Sequence, residues 1–199
     1  MARIIFARHG ETDWNKAARV QGALSDVPLN DYGREQAHRA GDYLAGETFA
    51  AVYSSPLSRA AETARIINEG HNLPIITNHS LVEINAGDYE GVCTSELDRR
   101  FSQIVAKQDK DACMYRVPGG ESLAHVQERG WQVVEEILAE HNGETVLVVT
   151  HYFVILSIIC RVLDLPLVNI TRFYMATGAI SIINMECPIP RLEAFNILP

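Results

Sequence analysis

Three short runs constrain this chain more than anything else in it: "ARIIFAR" at residues 2 to 8, "AAVYSS" at 50 to 55 and "TVLVVT" at 145 to 150. Each is nearly all apolar and none alternates with polar residues, so each predicts a strand covered on both faces, the situation of a parallel sheet between helices. A helical pattern follows every run. After the first, Asn30 stands as an N-cap, Ala37, Ala40 and Leu44 share a face, and Gly46 offers a stop. After Pro56, Leu57, Ala60, Ala61, Ala64 and Ile67 repeat at helical spacing up to Gly70. A longer helix is expected from Ser122, with Val126, Val133, Val134, Ile137 and Leu138 on one side and Glu128, Glu135, Glu136 and Glu140 on the other. An apolar helix begins near Tyr152, and "GAISIINM" and "RLEAFNI" then predict two late strands.

That order implies an α/β fold, a three-layer sandwich with a mostly parallel central sheet. With 199 residues, 47% of them hydrophobic, the chain can bury one substantial core and is short for two, so residues 1–199 are expected to form a single domain. Residues 92 to 120 are polar and irregular, and are expected to insert over one end of the sheet as a lid.

Composition excludes several classes of partner. The formal charge is −8, with Lys and Arg scattered, which is the wrong footprint for nucleic acid. Cys93, Cys113, Cys160 and Cys187 form no C-x-x-C pair, and are expected to be free thiols in a reducing cytoplasm. No basic region followed by an apolar core opens the chain, and the longest apolar stretch, Tyr152 to Cys160, falls well short of the roughly 20 residues that span a bilayer. No membrane association is expected. Seven histidines are present without H-x-H or H-E-x-x-H spacing, so neither a metal nor another cofactor is implied. Oligomeric state is left open.

Ligands of an open parallel sheet bind beyond the carboxyl ends of its strands. Arg8 and His9 end the first run, Ser54 and Ser55 the second with Arg59 one turn into its helix, and Thr150 and His151 the third. Singly, such histidines are ordinary polar strand ends. Together, two cationic forks and two imidazoles at one edge suit a phosphate, with a neutral imidazole available as nucleophile.

The blocks "RHGETDWN", "RVQGALSDVPLNDYGREQA", "SSPLSRAAETA", "LVEINAGDYEG", "GGES" and "VVTH", in this order, resemble the histidine phosphatase superfamily, the phosphoglycerate mutase-like proteins, in its short phosphatase branch. The resemblance implies a two-step phosphoryl transfer in which His9 becomes phosphorylated and water, or a second acceptor, collects the group. It implies Arg8, Arg59 and His151 as the phosphate pocket and Asn15 as a further polar contact. It also implies Glu83 as the proton donor, and Gln21 and Gly22 beside the substrate. Thr12 would help close the pocket, and Glu11 would order the loop by pairing with an arginine. The helix at Tyr152 would aim a backbone N–H at the phosphate.

Two departures from the family concern substrate rather than reaction. "THYF" places Tyr152 and Phe153 where small residues are common, so Tyr152 either narrows the mouth of the pocket or packs back on the fold; Tyr89 stands where Trp is frequent. The reaction expected is hydrolysis of a small phosphate ester, α-ribazole phosphate, a sugar phosphate and phosphoserine all being served by similar short members. Competing readings are a cofactor-dependent phosphoglycerate mutase and a phospholigand-binding module without catalysis. Mutases in the family carry a longer insertion with an Arg pair and a proline run, whereas Arg99 and Arg100 here come soon after Gly91 and lead into "FSQIVAK".

Overall fold

The computed structural model describes residues 2–96, 99, 112–114, 116–185 and 189–199. The expected strands are present as β1 (Arg3–Arg8), β2 (Phe49–Ser54), β4 (Thr145–Thr150), β5 (Ile180–Asn184) and β6 (Arg191–Ile197), joined by a short strand β3 (Ile75–Thr77) that the pattern does not announce. They form one sheet in the order β3-β2-β4-β1-β5-β6. The four strands β3, β2, β4 and β1 run parallel; β5 runs against β1, and β6 runs against β5, back in the direction of the other four. The interior of β1 and of β4 is buried without interruption, as continuous apolar runs require.

Helices cover both faces. On one side α2 (Asp31–Leu44) and α3 (Ser58–Asn68) pack Ala40, Leu44, Ala60, Ala64 and Ile67 against Ile5, Ala7, Val52, Leu147 and Val149. On the other, α4 (Leu123–Glu140) and α5 (Tyr152–Val162) pack Val126, Val133, Ile137, Ile155 and Ile159 against Ile4, Phe6, Tyr53, Val146 and Val148. Alternate residues of each strand thus feed alternate cores. The N-caps are those expected: Asn30 accepts from Gly33 N at 2.8 Å and Ser122 from His125 N at 3.3 Å. A four-residue helix, α1 (Asp13–Lys16), has no buried residue and is held by a capping box between Thr12 and Asn15.

The start of α2 is locked to the loop after β1 by two glycines packed backbone to backbone. A Cβ on Gly10 would come within 2.2 Å of Gly33 O, and one on Gly33 within 2.1 Å of Glu11 O, so neither position admits a side chain. Among the described residues Cys93, Cys113 and Cys160 are free thiols, and no helix is long and apolar enough to cross a membrane. The expected lid falls largely outside the described residues.

Candidate active site

The carboxyl ends of β1, β2 and β4 lie side by side, and three of the five principal expected residues stand there. Arg8 closes β1 in register with Thr150 of β4. His9 follows, its N–H donating to Thr150 O at 3.1 Å and its carbonyl accepting from Gly178 N at 2.9 Å. His151 is the N-cap of α5. The two imidazoles are buried, with ring centroids 5.1 Å apart and planes tilted by 57°.

Hydrogen bonds assign the His9 tautomer. Nδ1 lies 2.7 Å from Gly10 O, and a carbonyl only accepts, so Nδ1 carries the proton and the lone pair is on Nε2. Burial, then Arg59 and Arg8, hold the His9 pKa well below 6.5, keeping the ring neutral. His151 is pushed the same way by burial, Arg59, His9 and Arg8. Its Nε2 is 2.8 Å from Ser55 Oγ, which itself accepts from Leu57 N at 3.3 Å; when the Ser55 hydroxyl donates to Nε2, Nδ1 bears the ring proton.

Arg59, from the first turn of α3, is fully buried. It donates from Nη1 to Ser25 O and from Nη2 to Gly22 O, each at 3.0 Å. The Gln21 amide is satisfied with its oxygen accepting from Arg59 Nη1 at 3.0 Å and Nε at 3.1 Å, and its nitrogen donating to Thr12 Oγ1 at 2.6 Å. Burial draws the guanidinium pKa down to about 10, which leaves it charged at neutral pH. Arg8 donates from Nη1 to Met175 O and lies over the Tyr152 ring, 5.0 Å from its centroid. Two buried nitrogens of the site, Arg8 Nε and His151 Nδ1, have no hydrogen-bond partner among the described residues. Buried polar nitrogens normally find one; Arg8 Nε suits an anionic oxygen, as does His151 Nδ1 in its protonated tautomer.

Glu83 is also buried, and its carboxylate faces the start of α5. Oε1 accepts from Ile84 N at 2.8 Å, and Phe153 N reaches Oε1 at 3.3 Å and Oε2 at 3.5 Å. At the helix N-terminus the Phe153 N–H thus meets this carboxylate. Burial raises the Glu83 pKa above 4.5, against the pull of the Ile84 N–H and of Arg59, Arg8 and Arg129. A carboxyl pushed toward its neutral form can serve as an acid, and an imidazole held neutral can serve as a nucleophile.

The remaining expected residues gather around this centre as supports. Asn15 Oδ1 accepts from Thr12 N at 3.1 Å and from Thr12 Oγ1 at 3.0 Å. Gly22 offers its carbonyl to Arg59, and a Cβ there would fall 2.3 Å from Glu90 Oε1 and 2.7 Å from Ile84 O. Tyr152 packs on Arg8, and its hydroxyl donates to Phe173 O at 2.8 Å. Glu11 orders the loop through Asn30 Nδ2 at 2.9 Å, where an arginine was expected. Thr63 carries no motif signal of its own, yet its Oγ1 accepts from Gly10 N at 3.1 Å and donates to Arg59 O at 2.7 Å, tying the loop after β1 to α3. Ser55, the partner of His151, is likewise unmarked by the motif; both lie within "SSPLSRAAETA". Among the described residues no cluster of three or more His, Cys, Asp or Glu side chains is placed to hold a metal.

The profile of the histidine phosphatase superfamily (branch 1) matches residues 4–198. Phosphoserine phosphatase 1 of Hydrogenobacter thermophilus is 32% identical over 186 residues, covering 94% of this chain and 88% of that protein. The structure of mycobacterial glucosyl-3-phosphoglycerate phosphatase with VO3 superposes with a TM-score of 0.86 at 28% identity, covering 98% of each chain. Phosphoserine phosphatase of Entamoeba histolytica with 3-phosphoglyceric acid gives a TM-score of 0.86 at 26% identity, covering 99% of this chain and 98% of that one.

Proposed function

The chain belongs to the histidine phosphatase superfamily and is a phosphatase of that family, and from that premise we propose that it hydrolyses a small phosphorylated metabolite through a phosphohistidine on His9. The observation that carries the proposal is the Nδ1–H to Gly10 O bond, because it presents an unprotonated Nε2 in a ring that burial and neighbouring cations keep neutral.

In the first step Nε2 attacks phosphorus in line with the leaving oxygen, the P–O ester bond breaks, and the Glu83 carboxyl delivers its proton to that oxygen. Arg8, Arg59 and His151 Nδ1–H meet the equatorial oxygens, where charge accumulates. The Nδ1–H bond to Gly10 O steadies the imidazolium that forms. In the second step the Glu83 carboxylate takes a proton from water, the water oxygen attacks phosphorus, and the N–P bond breaks, returning neutral His9 and a protonated Glu83. Neither step calls for a metal. Asn15, Gln21, Gly22 and Thr12 hold the arginine and the loop, while Tyr152 forms the wall beside Arg8.

Relatives named for phosphoserine and for glucosyl-3-phosphoglycerate favour esters of small hydroxy metabolites, and the free thiols favour a reducing compartment. The test is phosphate release, with excess chelator, from phosphoserine, glucosyl-3-phosphoglycerate, 3-phosphoglycerate, a sugar phosphate and α-ribazole phosphate. At least one should turn over with kcat/KM above about 10⁴ M⁻¹ s⁻¹. Isomerisation of 3-phosphoglycerate without phosphate release, or inhibition by the chelator, would overturn the proposal.

A further inference from the structure

Glu83 follows a single turn of 3-10 helix at His79–Leu81 and is itself in neither helix nor strand. Its position must therefore be fixed from outside. Thr150 Oγ1 donates to Leu81 O at 2.6 Å, anchoring one end of the stretch to β4. Ala23 N donates to Ile84 O at 3.1 Å and Phe153 N meets the Glu83 carboxylate itself, while the main chain around Glu83 is further held by one guanidinium and one carboxylate. Arg129, from α4, donates from Nη1 to Ser80 O at 2.7 Å and from Nη2 to Glu83 O at 3.2 Å. Glu121, just before the N-cap of α4, binds Arg129 Nη2 through Oε1 at 2.8 Å and Arg129 Nε through Oε2 at 3.3 Å. Its Oε1 also accepts from Asn85 N at 2.8 Å, and its own N–H donates to Asn85 O at 2.9 Å. The pair thus grips the main chain at residues 80, 83 and 85, on both sides of the carboxyl it never touches.

Both side chains are only 11% exposed. A buried ion pair is a poor way to gain stability, since desolvation offsets much of its Coulomb attraction. Its value here lies in direction: a planar fork with its N–H groups committed to two carbonyls and a carboxylate fixes a loop as an apolar contact would not. A proton donor misplaced by about 1 Å can lose on the order of 10²-fold in rate.

We propose that Arg129, oriented by Glu121, is a positioning residue for Glu83, setting the carboxyl's place at the leaving oxygen without contacting substrate. This rests on the reading of Glu83 as the proton donor. The experiment compares phenyl phosphate with p-nitrophenyl phosphate, similar in shape but different in their need for leaving-group protonation, in Arg129→Met, Arg129→Lys and Glu121→Gln, each made in wild type and in Glu83→Gln. In wild type, Arg129→Met should lower kcat for phenyl phosphate by about 10- to 100-fold, with less effect on p-nitrophenyl phosphate and little change in KM. Arg129→Lys should recover part of the loss, and Glu121→Gln should act in the same direction more weakly. In the Glu83→Gln background Arg129→Met should change kcat by no more than about 2-fold. A loss of equal size in both backgrounds, or one confined to KM, overturns the positioning role while leaving Glu83 as donor. If Glu83→Gln itself leaves the phenyl phosphate rate intact, the donor reading falls and the inference falls with it. Should Arg129→Met fail to fold, Glu121→Gln decides by the same criteria.

Discussion

Arg59→Met separates what the buried guanidinium contributes to the fold from what it contributes to chemistry. Methionine fills similar volume, but Gly22 O, Ser25 O and the Gln21 amide oxygen lose their donors. An orphaned buried acceptor costs about 1–3 kcal/mol; with the Gly22 bond fully buried and the others partly so, the sum is roughly 2–5 kcal/mol. For a chain of this size that lowers Tm by about 5–15 °C. Catalysis loses a charged donor at the phosphoryl group, worth about 10²- to 10³-fold in kcat/KM. A third effect is electrostatic. Arg59 follows burial as the second cause of the low His9 pKa, so its removal raises that pKa and moves the acid limb of the kcat/KM profile to higher pH. Arg59→Lys retains the charge without the fork: it should keep the acid limb nearly in place while losing comparable stability. The assay is the pH dependence of p-nitrophenyl phosphate hydrolysis beside thermal unfolding. An acid limb that stays put in Arg59→Met, or activity within about 3-fold of wild type, would refute a cationic cradle around a neutral nucleophile.

Two further outcomes follow from the same geometry. His9 and His151 are neutral in the fold and protonate near 6.5 when unfolded, so the unfolded chain binds more protons as pH falls below that value and stability drops by about 1.4 kcal/mol per pH unit for each. Glu83, with its folded pKa raised, works in the opposite sense as pH falls through that pKa; urea midpoints from pH 7 to 5 should therefore fall in wild type and fall less steeply in His9→Asn, and parallel slopes would contradict the buried neutral ring. Tyr152→Gly removes the ring under Arg8, so it should raise KM for small and bulky esters alike, whereas a gain confined to bulky esters would make Tyr152 a selectivity wall instead.

What was legible in the sequence divides along physical lines. β1, β2 and β4 are continuous apolar runs because both faces are covered, and their ends deliver Arg8, His9 and His151 to one edge by topology alone. β3 escaped notice because Ile75–Thr77 is three residues on a half-exposed edge, too short for any period to register. α1 buries no residue fully and exists through the Thr12–Asn15 cap. The supports of the site were hidden for a different reason. Arg59 and Arg129 are held largely by main-chain carbonyls of residues 22, 25, 80 and 83, and a carbonyl leaves no mark on residue identity. Glu11 was visible as a loop-ordering acid, but its partner Asn30 is also the cap of α2, a double duty that spacing does not reveal.

The central claim is that His9 carries the phosphoryl group between ester and water. Mixing the enzyme with ³²P-labelled substrate and quenching within one turnover into alkaline detergent tests it most directly, since a phosphohistidine survives alkali and is lost in acid. Wild type should show a label that is acid-labile, maps to the peptide bearing His9, and disappears as substrate is exhausted; His9→Ala should show neither label nor turnover. Label on another residue, or His9→Ala turning over substrate within about 10-fold of wild type, would contradict the account.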